Sequence, residues 1–341
     1  MTATTSRPEL ASIARLLGVE VDDVHGLDGV SDDDLRELHD QIAHRLSEDK
    51  RHRFGRVAAL SKSIPGPIAG RLAEKFLPPA GAALVAELLE PAKARDLVDR
   101  VSVTYLGDLA IALDPVRAQD VVRAIPAERV GEVSRELFSR KEYAAMARFV
   151  GAVEVDALFA ALGVAAPHDL LAVVPLLTWN DNLDRVIAEL PEPQIHQIAE
   201  ELDAGELAEL ALALDPHRFG PIVTAVPVDT VADIAIALLD DGEYAAMVGF
   251  SGVITSEMLS AAVDRATDDH LVGVVSAVDS GDSWANFDHL VTGLDDRGRG
   301  RLVTALGAVG ADAFSRLQAA GAAGQLGAEA SNLLVAAAAL R

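Results

Sequence analysis

The chain has 341 residues, 53 of them acidic against 29 Lys/Arg, for a formal charge of −24. Without cysteine it can form no disulfide, thiolate zinc site or cysteine nucleophile. The acidity argues against a nucleic-acid partner, because a phosphate backbone is held by Lys and Arg. Half the residues are hydrophobic but only 4% are aromatic, so Ala, Leu and Val must supply the core.

No apolar run follows the polar residues Met1 to Arg7, so no secretory signal is expected. The longest nearly uncharged apolar stretches, Phe76–Leu89 and Leu333–Leu340, fall short of the roughly 20 residues that cross a bilayer. The expected location is the cytoplasm.

Residues 1–63 read as a charged N-terminal helical leader. Ile13, Ala14, Leu17, Gly18 and Val24 match a helix-turn-helix spacing. The reading helix would then present Glu20, Asp22 and Asp23 to DNA, which phosphate repels, so DNA binding is rejected. Ser31 and Asp34 form a near capping box, and Leu35, Leu38, Ile42 and Leu46 form a buried stripe behind it. Asp40, His44, Glu48 and His52 fall four apart on another face. A divalent metal could use that set, but Arg45, Lys50 and Arg51 crowd it and a solvated, ion-paired face explains it. No metal or other cofactor is assigned; His44, Glu48 and His52 are the set to test.

Residues 64–318 read as a helical-repeat superhelix, entered through helices broken by Pro65, Pro67, Pro78 and Pro79 with Gly66, Gly70 and Gly81. Its main evidence is internal. Leu109 to Pro115 returns as Leu210 to Pro216, and Glu142-Tyr143-Ala-Ala-Met146 returns as Glu243-Tyr244-Ala-Ala-Met247, both 101 positions on. Aligning 109–150 on 210–251 gives 18 identities in 42 positions. A looser echo, Trp179-Asn180 with Trp284 and Asn286, is spaced by 104–105, and a shorter period of 24 relates Leu89-Glu90-Pro91 to Leu113-Asp114-Pro115. Periods of about 20–50 residues mark stacked units that cannot bury their apolar faces alone. Each Asp-Pro predicts a helix ending just before it, with Asp capping the next segment and Pro where no N–H is needed. Val130, Val133 and Leu137, matched by Val231, Ile234 and Leu238, start a further amphipathic helix. The expected fold is therefore all-α, an α-solenoid or superhelix of short antiparallel helices duplicated at about 101 residues, with copies near 88–187 and 190–292. Residues 319–341, Ala-rich and almost uncharged, read as a C-terminal cap helix.

The pattern Leu-x-x-Leu-Ala-x-x-Leu-Asp-Pro, then a basic residue, an apolar pair and Ile/Val-Pro, is carried by Leu106–Pro126 and Leu207–Pro227. It resembles the helical repeats of the intracellular N-terminal domain of MgtE magnesium channels and the related superhelical domains of the flagellar motor protein FliG. The likeness covers about residues 88–150 and 190–251. It implies an architecture, and no magnesium-gating residue is carried over from it.

Catalytic signatures are missing. Gly249-Phe250-Ser251-Gly252 lacks the spacing of a nucleophile elbow, and Gly298-Arg299-Gly300-Arg301 lacks the Lys-Ser/Thr of a phosphate loop. The remaining histidines show no ligand spacing. What stands out is aromatic. Tyr143, Met146 and Phe149, and again Tyr244, Met247 and Phe250, follow helical spacing, and with Trp179 and Trp284 they carry much of the large apolar surface. They are either core knobs between helices or the lining of a groove for an apolar ligand or a partner's helix. The functional expectation is a non-enzymatic binding module for a protein partner or an apolar small molecule. The alternatives are a carrier of a lipid-like ligand or a peripheral membrane-associated protein, and then a metal- or carboxylate-dependent enzyme.

Overall fold

The structure, a computed structural model, describes residues 21–27, 29–31, 34, 35, 38, 66–278 and 282–341. Among these residues the fold is all-α, with no strand. The chain divides into two compact units, residues 1–129 and 130–341.

The first unit opens with a short 3-10 helix, Val21–Leu27. Its Val24 and the fully buried Leu35 form a small core of their own, with Leu38 packed beside it. The Ser31 hydroxyl accepts the Asp34 N–H at 3.2 Å and donates to its carboxylate, which is the cap the sequence led us to expect. Ile42, Leu46, the helix-turn-helix match at Ile13 to Gly18, and Asp40, His44, Glu48 and His52 lie outside the described residues. Five helices follow: α1 Gly66–Phe76, α2 Pro79–Ala86, α3 Pro91–Val98, α4 Val103–Ala112 and α5 Gln119–Arg123. Proline opens α2 and α3 at a position whose N–H would have no partner. Ser102 caps α4. α6, Ala127–Ser139, crosses the boundary between units.

The second unit continues with α7 Tyr143–Phe149, α8 Val155–Leu162, α9 Pro167–Val173, a 3-10 turn at Val174–Leu176, α10 Asp181–Ala188, α11 Glu192–Glu201 and α12 Ala204–Val223. Then come α13 Val228–Asp240, α14 Tyr244–Ser251, α15 Ser256–Arg265, α16 Asp268–Ala277, α17 Asp282–Gly293, α18 Asp296–Ala308, α19 Ala311–Ala322 and α20 Ala328–Ala338. The Ala-rich end holds the last turn of α19 and all of α20. Gly324, at φ +71°, separates them: the Gln325 N–H reaches Ala320 O and the Gly324 N–H reaches Gly321 O, a turn that needs a left-handed residue.

Helix starts recur 101 residues apart. α4 and α12 begin at 103 and 204, α6 and α13 at 127 and 228, and α7 and α14 at 143 and 244. α8 and α15, α9 and α16, and α10 and α17 keep the same interval. The corner before α7 repeats bond for bond. Lys141 (φ +59°) and Gly242 (φ +80°) are left-handed, and the next N–H of each, on Glu142 and Glu243, closes on Leu137 O and Leu238 O.

The two Asp-Pro corners share chemistry but differ in backbone. Asp114 Oδ1 accepts the N–H groups of Val116 and Arg117, and its carboxylate pairs with the Arg117 guanidinium. Asp215 does the same with Arg218. However, a turn separates the end of α4 from the next helix after Asp114, whereas at Asp215 two helical segments of α12 meet directly across a kink, at φ +59° and ψ 167°.

Within each unit, helices pack on the helix two along: α1 on α3 and α2 on α4, then α8 on α10, α13 on α15, α14 on α16, α16 on α18, and α18 on α20. A second rule concerns helix ends, where the last carbonyls lack an N–H partner. In case after case a donor reaches them from the helix three further on. Tyr105 in α4 donates to Ala73 O and Leu77 O at the end of α1. Arg129 in α6 forks onto Val98 O and Val101 O after α3. Asn182 in α10 reaches Val153 O past α7, and His289 in α17 reaches Ile254 O past α14. Arg301 in α18 holds Val263 O and Ala266 O at the end of α15 and also pairs with Asp268. Arg316 in α19 reaches Ser276 O in α16.

A guanidinium on a helix C-terminus satisfies orphan acceptors and also meets the negative end of the dipole. Arg301→Met is therefore expected to lower stability by about 2 kcal/mol. Arg301→Lys should lose about half as much, since an ammonium cannot fork between two carbonyls. The midpoint of the urea transition of residues 130–341 measures both, and an unchanged midpoint for Arg301→Met would show that the fork contributes nothing.

Candidate functional site

The eight aromatic and methionine positions singled out by the sequence fall into two unlike environments. On α14 and α17 they are core. Met247, Phe250 and Trp284 are 7%, 3% and 8% exposed and belong to one hydrophobic cluster, with Tyr244 packed against it. Phe250 meets Phe219 edge-on, with centroids 5.4 Å apart. Tyr244 lies flat on α16 at Gly273, where a Cβ would sit only 2.4 Å from the ring.

The first copy is more open. Tyr143, Met146 and Phe149 are half-buried on α7, which packs on α9 and on the 3-10 turn that leaves Leu176 half exposed. The residue 101 positions before Gly273 is Ala172, so the backbone seat taken by Tyr244 is filled by a methyl group here. Likewise Ala118 stands where the second copy has Phe219. Tyr143 instead tilts beside Phe138, at 6.5 Å between centroids, and donates its hydroxyl to Asp169 Oδ1 at 2.8 Å. The other oxygen of Asp169 accepts the Ala166 N–H at the start of α9.

Trp179 and Trp284 are not counterparts. Because helix starts repeat at 101 rather than 104–105, Trp284 falls inside α17, while Trp179 precedes Asn180, the cap of α10. Trp179 is half-buried, with the Arg218 guanidinium 4.4 Å above its ring. Arg218 also pairs with Asp184 at 2.7 Å and with Asp215. The result is one stacked and doubly paired guanidinium, tying the segment before α10 to the break in α12. Arg218, Asp169 and Gly273 were not picked out in the sequence. The one signal available was that Arg218 repeats Arg117, three residues after the aspartate of each Asp-Pro.

Neither glycine motif forms a catalytic site. The Ser251 hydroxyl is buried and donates to Val248 O at 2.8 Å, with Asn286 O also within reach. Arg299 and Arg301 lie in α18, and both donate to helix-end carbonyls. Among the described residues no group of three or more His, Asp or Glu is placed to hold a metal ion.

No family model, curated protein or solved structure matches this chain.

Donation to Asp169 holds the Tyr143 phenol above the ordinary tyrosine pKa, with burial and the Asp169 charge adding to it. A raised folded-state value means that the stabilisation is fully present below about pH 10 and is lost as pH rises through the folded value. Asp169→Asn should bring one of the three tyrosines down toward its ordinary range in a titration followed by phenolate absorbance. An unchanged curve would contradict the assignment. Tyr105, which burial and Glu74 also push up, supplies an internal reference.

The Tyr244 seat makes a second prediction. Gly273→Ala should destabilise by about 1–3 kcal/mol through overpacking, outweighing the roughly 1 kcal/mol that alanine gains in a helix. In a Tyr244→Ala background the sign should reverse. Thermal unfolding of the four proteins of this cycle decides it, and equal effects in both backgrounds would rule the seat out.

Proposed function

We propose that this chain is a non-enzymatic helical-repeat binding module, a superhelix derived from duplication of a block of about 101 residues, which presents its α7 face to a protein partner in the cytoplasm. The recurrence of helix starts at 101, packing on the helix two along and capping from the helix three along support the repeat reading. The resemblance of the Asp-Pro repeats to the MgtE N-terminal and FliG-type superhelical domains points the same way.

One observation carries the binding role. The same Tyr/Met/Phe stripe is built twice, and only the second copy has the glycine and the phenylalanine that let it close. The first copy stays half-open beside Leu176. Aromatic and methionine side chains of this kind serve recognition of apolar helix faces well, since they combine large area with adaptability.

The test pairs equivalent residues. Peptides selected by phage display on the folded protein should bind Met146→Ala at least fivefold more weakly, with less than about 1 kcal/mol lost in stability. Met247→Ala should lower stability by about 2–5 kcal/mol and leave the affinity of the folded protein unchanged. The opposite pattern, or selected peptides indifferent to Met146, would remove α7 as the site. Native mass spectrometry of gently purified protein tests the carrier alternative: a retained lipid supports it and a bare mass counts against it.

A further inference from the structure

Three of the large exposed apolar side chains follow one another along a single helix. Ile68, Leu72 and Phe76 in α1 are 53%, 41% and 69% exposed. Side chains four apart share a helix face, so these form one continuous oily stripe. The fold uses the opposite side of α1. Ala69 and Gly70 are buried, a Cβ on Gly70 would meet the Arg100 Cβ at 3.0 Å, and α1 packs on α3. Arg71 and Lys75 are exposed on the same helix, with the Lys75 ammonium 5.5 Å from the Phe76 ring centre.

The sequence around this helix reverses the character of the chain. From Lys50 to Phe76 there are seven Lys/Arg and one acidic residue, Glu74, a balance of +6. The rest of a chain of −24 therefore carries −30. Five of the seven basic residues fall between Lys50 and Lys62, immediately ahead of the helix that carries the stripe.

We infer that α1 forms a docking face for an anionic lipid surface. The stripe enters the headgroup boundary, Arg71 and Lys75 meet the lipid charges, the positive balance of residues 50–76 adds to the attraction, and the acidic remainder is repelled from the same surface. A nucleic acid would satisfy the basic residues but offers no apolar layer for Ile68, Leu72 and Phe76. An anionic bilayer offers charge and oil in adjacent layers, which is the pairing that amphipathic helices with basic flanks use. At 11 residues, or about 16 Å, α1 is far too short to span and would lie in the plane of the interface.

The full-length protein is tested by co-sedimentation with vesicles of phosphatidylcholine alone and of phosphatidylcholine with phosphatidylglycerol at about three to one. Binding only to the anionic vesicles is expected. It should fall at least tenfold between about 0.1 and 0.5 M salt, and at least tenfold in each of Leu72→Asp/Phe76→Asp and Arg71→Glu/Lys75→Glu. Circular dichroism melting of the variants should match the original, because the substituted stripe is exposed. The inference is overturned if the protein ignores the anionic lipid or if binding survives both variants. It is equally overturned if light scattering shows that Leu72→Asp/Phe76→Asp splits a dimer, which would assign the stripe to a second copy. Duplex DNA bound more tightly than vesicles, with no effect of the apolar variant, would also overturn it.

Discussion

The architecture depends on what happens at helix C-termini. Short helices leave a large share of their carbonyls without N–H partners, and the twenty α-helices among the described residues multiply that problem. Here it is answered from a distance. A guanidinium, imidazole, amide or phenol on the helix three further along reaches back to the vacant acceptors, as Arg129, Arg301, His289, Asn182 and Tyr105 do. Apolar packing on the helix two along is non-directional, whereas a fork onto two carbonyls fixes angle and register. The donors supply the specificity that an alanine-rich core lacks.

Against that shared scaffold, the two copies differ through very small changes. A hydrogen at Gly273 and a methyl at Ala172 decide whether a tyrosine lies down on a neighbouring helix or stands up to find Asp169. Phe250 has an edge-on partner in Phe219, and the sequence has alanine, Ala118, 101 positions before Phe219. Two helices of like sequence, 101 residues apart, thus differ in burial: the stripe on α14 closes into core and the one on α7 stays open.

Much of this was legible in the residues. Helical periodicity, proline at first turns and the Asp-Pro corners located the helices, and the interval of 101 read from identities is the interval between helix starts. Three things were not legible, each for a physical reason. The cap donors lie 28 to 40 residues from their acceptors, so no local pattern marks them. The two Asp-Pro corners read alike, yet Asp215 has a positive φ in a kink where two helical segments meet directly, while Asp114 is followed by a turn. The aromatic stripes read alike too, because what separates them sits on other helices. Proline and glycine counts around residues 64–91 suggested broken helices, but only placement shows that the fold turns Ile68, Leu72 and Phe76 outward.

The corner between α6 and α7, and its counterpart between α13 and α14, carry one more consequence. Their hydrogen bonds are the same, but one hinge is Lys141 and the other Gly242. A side chain held left-handed is strained in the folded state, while a glycine gives up more freedom on leaving the unfolded one. One penalty is steric and the other is entropic. Their temperature dependences therefore differ, so warming shifts the balance between two otherwise identical joints. The molecule contains its own matched pair for weighing these two penalties, with no substitution required.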